Sequence, residues 1–317
     1  MATEYELIRH GKMNRLNIFV NRILYRSNHM HSDFELVYVL DGEGTITTQR
    51  HTYALAPGNI VFLNSNEPHD ITGFDFGVTL LLIQFSKNFL QEYFPELSNT
   101  IVEDGNARRN LPPERYAALR KAMLEAGMEY LSGSAYFELT CLSLMATILR
   151  QLLSWLPKET ISAEEYHRRD KQAQRMVRIS GYLEQHYREP VRLADLAAEE
   201  GVTVTHLSHF ISEHFGMTFQ EYLNNIRFEH AVRIIGDHTL TLSDVSAESG
   251  FSELKYMTRM FENQLGMKPA DFREQFAYLS PASAGDVSDV PADGPRTLEY
   301  YLSEEDGLRA ILEARDR

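Results

Sequence analysis

The feature that most constrains the fold lies between Leu193 and Arg273, where one pattern occurs twice: a short apolar helix, a glycine, a second helix and a glycine stop. The first copy reads LADLAAEEGVTVTHLSHFISEHFGMTFQEYL and the second LSDVSAESGFSELKYMTRMFENQLGMKPADFRE. Leu193, Asp195, Ala198, Glu199 and Gly201 match Leu242, Asp244, Ala247, Glu248 and Gly250 at a constant offset. After one extra residue, Leu207, Phe215 and Gly216 fall on Met257, Leu265 and Gly266. Each copy has the layout of a helix-turn-helix, whose second helix is presented outward. Gly201 and Gly250 stand where the turn needs positive φ. Thr203 and Ser252 are the expected N-caps of the outward helices, and Gly216 and Gly266 their stops. Between the copies, Phe219 to Ile235 has the spacing of one long helix. Two such readers on a rigid rod would enter successive major grooves about 34 Å apart.

The second copy resembles the AraC/XylS family of bacterial transcriptional regulators, on Gly250-Phe251, Tyr256, Arg259, Phe261, Gly266, Pro269 and Phe272-Arg273. By position in that motif, the resemblance implies DNA contacts from Thr205, Ser208 and His209 in the first reader. In the second it implies Lys255, Tyr256, Thr258 and Arg259. An arginine such as Arg259 spans the O6 and N7 of a guanine, worth about 1 to 3 kcal/mol of discrimination. His209 stands where the family commonly has arginine, and Ser212-Glu213 and Glu262-Asn263 where it has basic residues. Each lost phosphate contact flattens the salt dependence by about one unit of slope. Weak single-site binding follows, with specificity in the second reader and affinity recovered in a homodimer, where pairing multiplies it by roughly 10² to 10⁴.

Charge agrees with that restraint. The chain of 317 residues carries 31 Lys and Arg against 45 Asp and Glu, a formal charge of −14, which excludes an indiscriminate nucleic-acid binder. Lys171 to Leu279 holds 11 basic and 15 acidic residues. One cysteine, Cys141, lies in an apolar helical stretch, so a disulfide framework is excluded and Cys141 reads as a small buried hydrophobe. The amino terminus, MATEYELIRHGK, lacks the apolar core of a signal peptide, and Leu139 to Leu149 is far shorter than a membrane span. The expectation is a cytoplasmic protein without a membrane partner.

From about Ile18 to Gln84 the chain alternates apolar and polar residues between turn signals at Asp41-Gly42-Glu43-Gly44 and Pro57-Gly58-Asn59, as antiparallel strands of a small barrel do. HMHSDFE and the later Pro68-His69 resemble the two motifs of the cupin barrel. The strand period of two would place His29, His31 and Glu35 on one inward face, where His69 could meet them. Two readings stay open at these residues. Three imidazoles and a carboxylate are a ligand set for zinc, iron or manganese. The resemblance to regulators instead implies an effector pocket without metal, and imidazoles suit a hydroxyl-rich ligand such as a carbohydrate. His29, His31, Glu35 and His69 are therefore the expected effector-binding residues, with neither metal nor cofactor.

Residues Thr3 to Val20 resemble the arm that such regulators fold over an occupied pocket. Two helical stripes follow, Tyr116, Leu119, Met123, Ala126 and Tyr130, then Leu142, Met145, Leu149, Leu152 and Leu156. The first suits core and dimer equally; the second, as the resemblance to the regulators implies, is expected at a dimer axis. The organisation expected is an α+β chain of two domains. Residues 1–156 form a cupin-like β-barrel with packed helices, for effector binding and dimerisation. A polar linker follows over 157–170. Residues 171–279 form an all-α DNA-binding domain with two helix-turn-helix motifs, braced by a first helix over Lys171 to Tyr187. Residues 280–317 make an acidic extension, flexible to Pro295 and then helical over Thr297 to Arg317. The function expected is a ligand-responsive, non-enzymatic transcriptional regulator, an activator, with double-stranded DNA, a small-molecule effector and RNA polymerase as partners. Metal-dependent cupin enzymes fused to a binding module, and an interaction protein without DNA binding, are the alternatives.

Overall fold

A computed structural model describes residues 3–8, 10–74, 77–279 and 298–301. They fall into two compact units, one built on 6–173 with 298–301, the other on 174–279 with residues 3–5.

The sheet unit runs β2 (Leu16–Met30), β3 (Asp33–Asp41), β4 (Gly44–Thr48), β5 (Thr52–Leu55), β6 (Ile60–Leu63), β7 (His69–Gly73) and β8 (Val78–Ser86). The strand order is β5-β4-β7-β2-β8-β3-β6, and each pairing is antiparallel. This path ends on β5 and β6, so the expected barrel is an open, curled sheet. The edge strand β6 is covered by loop: the Phe62 amide donates to the Gly105 carbonyl at 2.9 Å. An exposed edge would invite pairing with another chain, and covering it removes that liability.

Strand β3 explains why FELVYVL reads as an almost unbroken apolar run: it is buried on both faces. Leu36, Tyr38 and Leu40 lie in one core with Leu81, Ile83 and the helices; Val37 and Val39 lie in a second core inside the curl with Leu80, Leu82, Ile46 and Ile71. The helices are α1 (Ala107–Asn110), α2 (Pro113–Ser132) and α3 (Phe137–Trp155). Met145, Leu149, Leu152 and Leu156 are all buried in the first core, as are Leu119, Met123, Ala126 and Tyr130 of α2. The second stripe is thus core and not the expected dimer seam, with Leu142 its one exposed member. Cys141 is buried as expected, and desolvation pushes its thiol up to about 11. By length and composition α3 could cross a membrane, but its apolar stripe packs inside the unit as a core helix does.

The segment expected as a linker is ordered. After β9 (Thr100–Val102), strand β10 (Lys158–Thr160) pairs antiparallel with it. Helix α4 (Ala163–His186) then begins well before the Lys171 expected. The acidic extension lies outside the described residues except for Leu298–Tyr301. There a strand, β11, pairs with β2 in place of the expected helix.

The helical unit holds β1 (Glu4–Tyr5), the later part of α4, α5 (Leu193–Glu199), α6 (Val204–Phe215), α7 (Phe219–Ile234), α8 (Leu242–Glu248), α9 (Leu254–Leu265) and α10 (Pro269–Leu279). The joining helix is α7, capped by the reciprocal pair Thr218 and Glu221. Tyr222, Leu223 and Ile226 of α7 are buried, and its flanking aromatics meet both copies: Phe215 stacks near Tyr222 at 4.5 Å, and Phe228 meets Phe261 at 5.0 Å. Burying each such side chain contributes roughly 1.5 to 3 kcal/mol.

Candidate functional site

The histidines do not share one strand. His29 ends β2, His31 lies in the connection, Glu35 belongs to β3 and His69 opens β7. β2 and β3 are both neighbours of β8, so the HMHSDFE corner folds its residues together from two strands rather than along one. The sheet register sets His29 opposite His69, with ring centroids 4.2 Å apart, and Glu35 opposite Gln84. His31 and His69 rings are 5.4 Å apart. The expected quartet is therefore brought together, and every member is buried.

Its protonation follows from its hydrogen bonds. The Nδ1 of His29 contacts the Ser27 carbonyl at 2.8 Å, that of His31 the Asp33 carbonyl at 3.0 Å, and that of His69 the Glu67 carbonyl at 2.8 Å. A carbonyl only accepts, so each Nδ1 carries hydrogen and each Nε2 points at the cluster. Burial, reinforced by the Arg26 charge, holds His29 well below the ordinary imidazole value, and burial lowers His69. Burial opposes charge on His31 and Glu35 too, but their mutual bond at 2.7 Å outweighs it, raising His31 and lowering Glu35. The cluster thus pairs His31 with Glu35 beside two rings whose charging burial opposes. The Nε2 of His69 is buried without a hydrogen-bond partner, 3.8 Å from a Glu35 oxygen. An orphaned buried acceptor costs about 1 to 3 kcal/mol.

Part of the expected arm touches this cluster. A Glu6 carboxylate oxygen accepts from buried Arg26 at 2.8 Å and lies 3.6 Å from the His29 Nε2. Sequence reasoning did not single out Glu6 or Arg26, because neither belongs to a spaced motif.

In the helical unit the four glycines of the repeated motif, Gly201, Gly216, Gly250 and Gly266, take positive φ. Thr203 caps α6, its hydroxyl accepting from the His206 amide at 3.2 Å. Ser252 does not cap α9; the cap position is Glu253, without a side-chain bond. Thr205, Ser208 and His209 on α6, and Lys255, Tyr256 and Arg259 on α9, are exposed, while Thr258 is half-buried. The core faces of the same helices carry Leu207, Phe210 and Ile211, and Met257 and Phe261. Lys255 pairs with Glu253 at 2.8 Å and lies over the Tyr256 ring. Tyr256 and Arg259 also line a groove of about 560 Å³ between α7 and α9, with Gln220, Asn224 and Arg227. These α7 residues were not anticipated. Arg227 and the motif's Arg273 have structural duties: Arg227 donates to the Tyr187 and Glu189 carbonyls, Arg273 to the Leu240 carbonyl.

Residues 22–125 match the AraC-like ligand binding domain and residues 196–275 a helix-turn-helix domain. A Bacillus subtilis relative, the uncharacterized HTH-type transcriptional regulator YfiF, is 23% identical over 261 residues, covering 78% of this chain and 79% of its own. An uncharacterized HTH-type transcriptional regulator of Staphylococcus aureus strain MRSA252 is 24% identical over 238 residues, 74% of this chain. This chain spans only 31% of that relative's length. A crystal structure of ToxT from Vibrio cholerae O395 aligns with a TM-score of 0.50 at 16% identity, covering 84% of this chain and 100% of that one, a likeness of fold.

Proposed function

The chain belongs to the AraC family of helix-turn-helix regulators, and from that premise we propose that it is a ligand-responsive transcriptional activator. One observation carries the reading: an AraC-like ligand domain and two outward helices with exposed polar faces occur in a single chain. The effector is a small molecule received by the sheet unit, with the residues around His29, His31, Glu35 and His69 as the polar part of its site. A hydroxyl-rich compound, a sugar derivative first of all, suits imidazoles that donate and accept. Effector binding changes DNA occupancy only to the extent that it favours one arrangement of the protein over another.

The readers would contact base edges through Thr205, Ser208 and His209, and through Lys255, Tyr256, Thr258 and Arg259. The acidic surroundings make the protein depend on paired half-sites, and hence on a homodimer acting in the cytoplasm with RNA polymerase as its partner. With the α3 stripe buried, the dimer surface proposed is its outer side, where Leu139 is 66% and Leu142 38% exposed. The test is an electrophoretic shift of the DNA upstream of its own gene, at low salt, with and without candidate effectors found by thermal shift. A retarded complex whose abundance changes with an effector is expected; no complex at any protein concentration would overturn the reading. A metal-dependent enzyme, the alternative, would turn over substrate without DNA.

A further inference from the structure

We propose that the outer side of β2, from Asn21 to Tyr25, is a binding site for an extended peptide, and that the acidic extension is its tethered, releasable occupant through Leu298–Tyr301. The proposal rests on residues of β2 that are paired twice. Asn21, Arg22 and Ile23 face Leu80, Thr79 and Val78 of β8, and the same three face Tyr301, Tyr300 and Glu299 of β11. Tyr25 faces Thr72 of β7 and Leu298 of β11. A strand has only two sides on which to form a ladder, so β7 and β8 lie in line along one side of β2 and β11 takes the other. Gly73 marks the join of β7 to β8: a Cβ there would stand 2.3 Å from the Ile23 carbonyl oxygen and 2.7 Å from the Val78 nitrogen. β2 therefore has a ladder side of its own to offer, and β11 is the strand added to it over this stretch.

Asn21 and Ile23 are buried, and main-chain groups in such a stretch need partners. An added strand supplies them from its own main chain, which is how extended peptides gain affinity for a sheet edge. The extension is composed to provide one: 280–297 is rich in Ser, Pro, Ala, Gly and Asp, and Tyr300-Tyr301 is its first pair of strand-favouring aromatics. Its hold is weaker than that of β8. β8 runs against β2 without a break from Leu16 to Ile23, whereas β11 has four residues and shifts register between Leu298 and Glu299. So short a pairing is favoured by the tether, which sets an effective concentration on the order of millimolar. The seat ends beside Arg26, whose guanidinium holds Glu6, and β2 continues to His29. The extension and the proposed effector residues thus share one strand. The inference goes beyond the regulator reading and stands on strand pairing alone.

The experiment uses the full chain with Glu299→Pro or Tyr300→Pro, since proline has no amide hydrogen to give to a ladder. Exchange of the β2 amides that face β11, read by mass spectrometry on fragments spanning 21–25, is expected to quicken about tenfold or more in each variant. Val37 and Val39 of β3 are expected to keep their protection. The probe for the bared side is a synthetic peptide of residues 296–303, RTLEYYLS. It is expected to bind each variant saturably and the wild type roughly tenfold more weakly, because the tethered copy competes for the same side. The same peptide carrying Tyr300→Pro is expected to bind none of them. Should the proline variants loosen β3 as well, the full chain carrying Arg22→Cys with Tyr300→Cys tests the register directly. A disulfide between the two is expected under mild oxidation, and its absence overturns the site. Equal exchange in the wild type and both variants, or equal peptide binding by all three, also overturns it. The DNA shift assay on the wild type separates the two ideas: shifted DNA with no change in any β2 readout overturns only this inference, and the expected β2 readouts without shifted DNA overturn only the regulator reading.

Discussion

The two helix-turn-helix copies share a pattern but are secured differently. In the first, Glu200 before the turn glycine is held by Arg178 at 2.6 Å and Arg175 at 3.3 Å, which ties α5 to α4. The matching residue in the second copy, Ser249, is fully buried and its hydroxyl has no hydrogen-bond partner. Gly201 has open space where a side chain would grow, whereas a Cβ on Gly250 would stand 2.4 Å from the Tyr187 carbonyl oxygen. At its turn the first copy is braced by the Glu200 ion pairs and the second by close packing at Gly250. Their exposed faces differ in the opposite sense, since the cations Lys255 and Arg259 are on the second. The copy packed more closely at its turn is thus the one that carries exposed cations on its outer helix.

The comparison breaks most visibly at the glycines. Left-handed φ costs a side-chain residue about 1 to 2 kcal/mol, the whole effect expected for Gly201→Ala. Gly250→Ala adds a backbone overlap, so chemical denaturation is expected to show at least twice that loss; equal losses would mean the second turn yields freely. Next in size, Arg259→Ala is expected to weaken operator binding by about 1 to 3 kcal/mol, against a change several-fold smaller for His209→Ala. A larger effect at His209, measured by titrated gel shift, would reverse the roles of the readers.

A smaller contrast concerns caps. Thr203→Ala is expected to lower stability by about 1 kcal/mol, because it removes the bond to the His206 amide, while Ser252→Ala stays within about 0.5 kcal/mol. Acid should loosen α5 of the first copy. The bond from Arg178, together with Arg175, holds the Glu200 carboxyl below its ordinary value of 4.5. A depressed folded-state value means stabilisation that is complete above the unfolded value and lost as pH falls through the folded one. Hydrogen exchange of α5 amides is therefore expected to quicken below about pH 4, and Glu200→Gln to remove that dependence; unchanged α5 protection would refute the brace.

How much was legible follows the range of each interaction. Turn glycines, the Thr203 cap and α7 are local, and periodicity with turn chemistry specified them. The cap at Glu253 was missed because Ser252 is the better capping residue by type, while α9 begins one residue later than that cap would allow, at Leu254. Apolar spacing found the α3 stripe, but spacing cannot say whether a stripe faces its own core or a partner. The polar start of α4 carries few apolar residues, so it read as linker; the bidentate Arg168–Glu165 pair and Arg169 support it instead. The quartet was identifiable by residue type, yet its geometry depends on a strand register that pairs His29 with His69 across the sheet. Sheet closure likewise depends on edges that no local pattern encodes.

The central claim is that α6 and α9 read one duplex together. Methylation protection of guanines on the bound upstream DNA tests it most directly. Two protected major-groove patches on one face, about 10 base pairs apart for each protein subunit, are the result expected. A single protected patch per subunit, or no protected guanine in the bound complex, would contradict it.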